Sequence, residues 1–275
     1  AKDIIKKEAI VELNNTWRTE KENLISLWAA VRQKSELITE KLAMDGPFSE
    51  NVSDNILESK DDDEIILCLN YDGKFGVNFI NEYFQEANDC QGIVWNGWIY
   101  KKNDKIIFIE TKRFPILYNN LKGKIYDIER KNYSISFTVD VEMILTEEDC
   151  RKNEIEFIYG DEHFTRIKFE VIENSEQIND EKIRMKTIIP FQLAYALTIH
   201  KAQGLEYNSV KIIISDDKIN QISHEVFYTA ITRAKKYLKI YWSPETMNKI
   251  ISSFYKEKSD SISLSILKED LKQIN

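Results

Sequence analysis

Ile65-Ile66-Leu67-Cys68-Leu69 is an unbroken apolar run. A strand of this composition leaves no face for water, so it fits the interior of a parallel sheet covered on both sides. Parallel strands need crossover connections, and one follows directly. Phe75 to Ala87 sets Val77, Ile80, Tyr83 and Phe84 at helical spacing. The same texture returns downstream. Val210 to Ser215 reads as a second buried strand, Glu225 to Lys236 as a helix and Tyr237 to Trp242 as a further strand. Pro244 is placed to open a last helix running to about Tyr255. Upstream, residues 9–13 read as a short strand. Leu24, Leu27, Trp28, Val31, Leu37, Ile38 and Leu42 predict one helix from Glu20 to Leu42, with Thr19 as its N-cap.

Between these α/β segments the texture changes. From about Trp95 to Ile189, short β-rich runs alternate with turn signals. The runs are Ile106–Ile109, Lys124–Glu129, Ile135–Val141, Glu154–Ile158 and Arg166–Ile172. The expected fold is therefore α/β, a parallel sheet flanked by helices and interrupted by a small antiparallel β-barrel. Its expected division is 1–95 for the first part of the α/β domain, 96–190 for the insertion, 191–250 for the second part and 251–275 for a helical tail. Residues 43–63 read as a polar loop, and the acidic run Asp61-Asp62-Asp63-Glu64 as its solvated end rather than a metal site.

Charge and cysteine usage narrow the function classes. The 275 residues carry a formal charge of −8, which speaks against coating nucleic acid by bulk electrostatics. Tyr195 to Ile240 runs the other way, with seven Lys/Arg against four Asp/Glu. Cys68, Cys90 and Cys150 are few and widely spaced, as expected of reduced thiols in a cytoplasmic protein. With three histidines and no Cys-x-x-Cys, no metal site is expected. No apolar stretch approaches the length of a membrane span, and no secretion leader is visible.

The positively charged region holds the residues with chemical potential. It opens Tyr195-Ala196-Leu197-Thr198-Ile199-His200-Lys201-Ala202-Gln203-Gly204-Leu205-Glu206-Tyr207. Thr198 and His200 carry hydrogen-bond donors, and Lys201 adds a charge; in a turn after a strand they suit phosphate oxygens. Gly204 allows close backbone approach, and Glu206 is an acceptor suited to a ribose hydroxyl. Phe227-Tyr228-Thr229-Ala230-Ile231-Thr232-Arg233-Ala234-Lys235-Lys236 follows. Arg233, read here as part of a helix apolar on one side, is a guanidinium suited to charge on a transferring phosphoryl group.

In order and spacing, these two segments resemble motifs V and VI of superfamily 1 helicases, of the UvrD-like and RecD-like kind. Leu13-Asn14-Asn15-Thr16-Trp17-Arg18-Thr19 resembles motif IV. The resemblance implies a RecA-like motor domain with an inserted SH3-like barrel. It implies that Thr198, His200 and Lys201 contact the phosphate backbone of single-stranded DNA, with RNA an open alternative. Gly204, Glu206 and a stacking Trp17 would bind the nucleotide, and Arg233 and Arg18 would reach the γ-phosphate. The His-Lys-x-Gln-Gly form leans toward the branch that moves 5′ to 3′.

The departures are large. No Gly-x-x-x-x-Gly-Lys-Ser/Thr phosphate loop occurs, and Gly73-Lys74-Phe75-Gly76 has the wrong spacing for one. Asp161-Glu162 reads as a turn in the β-rich block, not a magnesium-holding pair. The resemblance thus covers the C-terminal half of such a motor. ATP and Mg²⁺ are expected in a full-length enzyme, together with an N-terminal RecA-like domain of the same polypeptide. The chain alone is expected neither to hold them tightly nor to hydrolyse ATP. The alternatives are a non-catalytic module that binds nucleic acid or a partner, or an RNA helicase fragment. A nuclease built on Glu110-Thr111-Lys112, with Asp104 nearby, is a further alternative.

Overall fold

A computed structural model describes residues 18–42, 48–51, 56, 58–59, 61–109, 112–173 and 181–255. The expected strand at 9–13, Trp17, Glu110 and the tail beyond 255 lie outside them.

The first α/β segment comprises α1 (Glu22–Arg32), α2 (Ile38–Lys41), β1 (Ser49–Glu50), β2 (Glu64–Cys68) and α3 (Val77–Glu86). The inserted segment comprises β3 (Ile93–Trp95), β4 (Trp98–Tyr100), β5 (Lys105–Phe108), β6 (Lys122–Arg130) and β7 (Ser134–Val141). It continues with α4 (Glu147–Lys152), β8 (Glu156–Gly160), β9 (Thr165–Ile172), α5 (Glu181–Thr187) and β10 (Phe191–Leu193). The chain then returns to the α/β body with β11 (Ala196–Thr198), β12 (Tyr207–Ile213), α6 (His224–Ile231) and β13 (Ala234–Tyr241). A helix over 244–255, α7, follows.

The unbroken apolar run behaves as its composition requires. All five residues of β2 are buried, and β2 lies between β12 and β11 in a parallel sheet of order β1-β13-β12-β2-β11. One core beneath it joins Leu67, Val210, Ile212, Phe227 and Trp242 to Leu24, Leu27 and Val31 of α1. Each such side chain contributes roughly 1.5–3 kcal/mol relative to exposure. Trp28 of α1 donates from Nε1 to Ile231 O at 3.1 Å, which fixes α1 against the end of α6.

The predicted helix from Glu20 to Leu42 is broken. α1 ends at Arg32, and Lys34 takes a left-handed conformation with φ 49°. The Ser35 amide reaches back to Ala30 O and the Lys34 amide to Val31 O. That pair of bonds is a Schellman closure, with lysine where glycine is usual. Thr19 does not cap α1 with its side chain. The N-cap is Lys21, and the Thr19 hydroxyl donates to Lys235 O at 2.6 Å.

The inserted strands form one antiparallel sheet of order β10-β5-β6-β7-β9-β8 around its own core of Phe108, Phe137, Val139 and Ile167. Among the described residues no pairing joins β8 to β10, so the order is open where a closed barrel was expected. Asp161 stands in the β8–β9 turn and accepts the His163 and Phe164 amides, as its reading as a turn residue requires. A separate hairpin, β3–β4, turns at Asn96 and Gly97, both with positive φ, and leaves Trp98 70% exposed.

Asp104 fastens the two sheets together. It is fully buried and accepts from Gln85 Nε2 (2.6 Å), Asn88 Nδ2 (2.9 Å), the Lys101 amide (3.0 Å) and Tyr195 Oη (2.9 Å). Tyr195 in turn stacks on Phe84 of α3. A carboxylate so saturated by donors is a structural hub, and the nuclease alternative loses its aspartate.

The acidic run is only in part a solvated loop end, with Asp62 exposed. Asp63 accepts from Lys122 Nζ at 2.7 Å and from the Asn208 amide at 3.0 Å, while Glu64 opens β2 and is buried. Among the described residues no group of acidic, histidine or cysteine side chains is arranged to hold a metal. None of their helices is long and apolar enough to cross a membrane. The three cysteines are free thiols.

Candidate functional site

β11 delivers Thr198 to the carboxyl end of the parallel sheet, where ligands of open α/β sheets bind. Residues 199–206 then turn back into β12. Thr198 is buried, and its hydroxyl accepts the Lys201 amide at 3.2 Å, closing the turn on itself. Lys201 donates from Nζ to Gln192 Oε1 at 2.7 Å and lies 5.5 Å from the Tyr71 ring centroid. His200 is exposed at the apex. The three residues expected to face a strand are therefore brought together on one turn.

Gly204 takes φ +88°, and a Cβ there would meet nothing within 4 Å. Backbone conformation rather than space is what requires glycine. Gly204→Ala is expected to lower stability by about 1–2 kcal/mol, and Gly204→Asn by less, since asparagine tolerates the left-handed region. Urea melts of the chain check this; equal losses for the two variants would contradict it.

A second cluster forms around the residue two beyond Gly204. Arg18 Nε donates to Glu206 Oε1 at 2.5 Å, and Lys235 Nζ stands 3.3 Å from Glu206 Oε2. Burial pushes the Glu206 carboxyl up. The hydrogen bonds and charges of Arg18 and Lys235 outweigh that and hold it below the ordinary glutamate value. Sequence reasoning gave Glu206 to a ribose hydroxyl; here its side chain engages two cations. Lys235 was not singled out. The available signal was its place two residues after Arg233, close to it in a short basic run.

Arg233 is not inside a helix. α6 stops at Ile231, and Arg233 occupies the turn before β13. Local hydrogen bonds end the helix. The Thr232 hydroxyl donates back to Tyr228 O at 2.9 Å, and Arg233 Nε donates to Thr229 O at 2.9 Å. From Ala234 the buried positions follow a strand pattern instead. The Arg233 guanidinium also donates to Leu205 O at 3.0 Å, so it reaches the same loop as Glu206. Burial lowers its pKa, and the charge of Arg18 lowers it further. Arg18, Lys235 and Arg233 thus crowd around one carboxylate, a local excess of positive charge suited to a polyanion.

Residues 193–241, which hold both clusters except Arg18, match the family described as UvrD-like helicase C-terminal domain. Over 188 residues the chain is 26% identical to RecBCD enzyme subunit RecD of Buchnera aphidicola subsp. Schizaphis graminum, covering 68% of this chain and 26% of that protein. Over 44 residues it is 43% identical to the ATP-dependent RecD2 DNA helicase of Deinococcus radiodurans, covering 16% of this chain and 6% of that one. The crystal structure of Pif1 helicase from Candida albicans matches with a TM-score of 0.52 at 16% identity, over 90% of this chain and 60% of that chain, a likeness of fold. The chain spans about a quarter of the length of the curated relatives that it matches over most of its own length.

Proposed function

We propose that this superfamily 1 helicase C-terminal half supplies the single-strand contacts and the phosphate-facing arginines of an ATP-dependent motor. The observation that carries the reading is the loop 199–206. One end presents His200, with Thr198 and Lys201 in the same turn, and the other end carries Glu206 and meets Arg18, Lys235 and Arg233. One short turn therefore joins a site suited to a sugar-phosphate backbone to a site suited to a triphosphate.

In this reading Arg233 and Arg18 face the γ-phosphate, and Trp17, Gly204 and Glu206 lie on the nucleotide side. Thr198, His200 and Lys201 lie on the strand side. The residues fit ATP by charge, because incoming phosphates offer Arg18 and Lys235 an alternative to Glu206. A phosphate loop and the Mg²⁺ ligands come from a partner RecA-like domain of the same polypeptide, so the chain alone binds nucleotide weakly. ATP supplies the phosphoryl group, and the arginines spread the charge that develops on it. The inserted unit runs from β3 through β10, and the α/β body resumes at β11 and continues through α7, so the boundaries expected at 95, 190 and 250 move to the ends of these elements. The preferred track is single-stranded DNA.

Thr198→Ala with His200→Ala, in the polypeptide that carries this chain, is expected to weaken single-strand affinity about tenfold. It should also reduce the slope of log affinity against log salt, by roughly one phosphate contact. Titration of labelled DNA and RNA strands at several salt concentrations reads both. Unchanged affinity removes this turn from the track, and a preference for the RNA strand reassigns the substrate.

A further inference from the structure

The loop that organises the arginines is held from outside the α/β body as well as from within it. Within the body, Leu205 O accepts from the Arg233 guanidinium, and the Tyr207 amide donates to Arg233 O at 3.0 Å. The Glu206 carboxylate engages Arg18 and Lys235. From outside comes Lys122, the first residue of β6 in the inserted sheet. Its ammonium donates to the backbone carbonyl of Glu206 at 2.7 Å and to Asp63 Oδ1 at 2.7 Å. It also stands 3.9 Å from the ring centroid of Tyr207. The Lys122 side chain is only 18% exposed, so these contacts are shielded from water and worth more than a surface pair.

The surroundings make this contact a strut. A cavity of about 290 Å³ opens between the two sheets, lined in part by Lys105, Lys122, Asp140, Glu142 and Tyr207. Lys105 also crosses it, but donates to the carbonyls of Asp62 and Glu64, on the strand side rather than the loop. Lys122 bridges the cavity to the loop that carries the cation cluster. Its second anchor, Asp63, also accepts the Asn208 amide, so the ammonium is fixed at the start of β12 as well.

We infer that Lys122 is a positioning residue for the phosphate-facing cluster, tying the inserted sheet to Glu206 and through it to Arg18 and Arg233. The inference rests on the motor reading for its consequence in turnover, but not for its geometry. With the strut in place, the 205–207 backbone has one position relative to the inserted sheet. Arg233, bonded to both Leu205 and Tyr207, shares it. Removing the ammonium frees the Glu206 carbonyl and lets the loop shift without substituting any residue placed at the nucleotide. A small displacement of a phosphate-facing group is costly in rate, since misplacement by about 1 Å reaches 10²-fold.

Two readouts test this separately. In the chain itself, Lys122→Met keeps the aliphatic stem and removes the ammonium. Amide exchange at Tyr207 is expected to rise about tenfold, while Val210 to Ile213 of β12 stay unchanged. Lys122→Arg can still donate to Glu206 O and stack on Tyr207, and is expected to return exchange to within about twofold of the original. Tyr207 exchange unchanged in K122M, or equally raised in K122R, overturns the inference. Should K122M lose the fold, the shorter and still polar Lys122→Gln carries the same test with the same two outcomes.

In the polypeptide that carries this chain, K122M is expected to lower strand-stimulated ATP kcat about tenfold with KM within about twofold, and K122R to restore it. A wild-type kcat in K122M denies the strut any role in turnover. If the unsubstituted polypeptide hydrolyses no ATP, the motor reading fails, and the exchange experiment alone decides the positioning claim.

Discussion

Replacing Arg233 by lysine in the polypeptide that carries this chain is expected to lower ATP turnover by about 10³-fold while single-strand affinity stays within about threefold. The size follows from what a guanidinium supplies beside a transferring phosphoryl group, on the order of 10³-fold or more, or about 4 kcal/mol of transition-state stabilisation. Lysine is the informative substitute because Arg233 also has structural work. It is buried and donates to Thr229 O, Leu205 O and the Thr232 hydroxyl. Alanine would remove those bonds together and untie the end of α6 from the 199–206 loop, which mixes misfolding with lost chemistry. An ammonium can keep one of them, but not the planar fork. Steady-state hydrolysis and strand binding on the same preparation separate the roles. Loss of both in parallel would assign Arg233 to the scaffold, and turnover within tenfold of the original would remove it from the phosphate site.

The double duty of Arg233 also shows where sequence reading reached its limit. Motif spacing located the residue, yet the apolar pattern around it predicted a helix through Lys236. The helix stops at Ile231 because the Thr232 hydroxyl and the Arg233 side chain take the last-turn carbonyls, a local competition that periodicity does not register. The break after α1 was hidden in the same way, since Lys34 occupies the left-handed position usually held by glycine. By contrast, the Asn-Gly pair at 96–97 is a legible sign of the β3–β4 hairpin turn. The longer strands of both sheets were legible because alternation and continuous burial leave direct marks in composition, whereas the two- and three-residue strands β1 (inside the expected polar loop), β10 and β11 were not. Contacts across the cavity were not. Lys122 and Glu206 are far apart in sequence, and a lysine opening a strand carries no sign of the carbonyl it will meet.

Lys211 illustrates that last point in the core. It sits in the apolar run of β12, where a charge contradicts burial on both faces, and it is 2% exposed. Its partner is Glu64 at the start of β2, with Nζ to Oε1 at 2.8 Å. Ser209 donates to the other carboxylate oxygen at 2.6 Å, and Lys211 also donates to the carbonyls of Ile56 and Glu58. The acidic run of residues 61–64 therefore ends in a buried counter-ion, which ties the segment before β2 under the sheet. Lys211→Met removes one charge and leaves the carboxylate in the interior without that partner. The expected cost is about 3–5 kcal/mol, because losing one partner of a buried ion pair is worse than either the pair or an apolar replacement of both. Lys211→Met with Glu64→Leu removes both charges and is expected to recover all but about 1–2 kcal/mol of it, the remainder reflecting the Ser209 hydroxyl left without its acceptor. Urea melts of the three proteins measure the cycle. If the double variant is as unstable as the single one, the pair holds the sheet through its specific hydrogen bonds rather than through charge compensation. If Lys211→Met costs under about 1 kcal/mol, water reaches the pair and screens it.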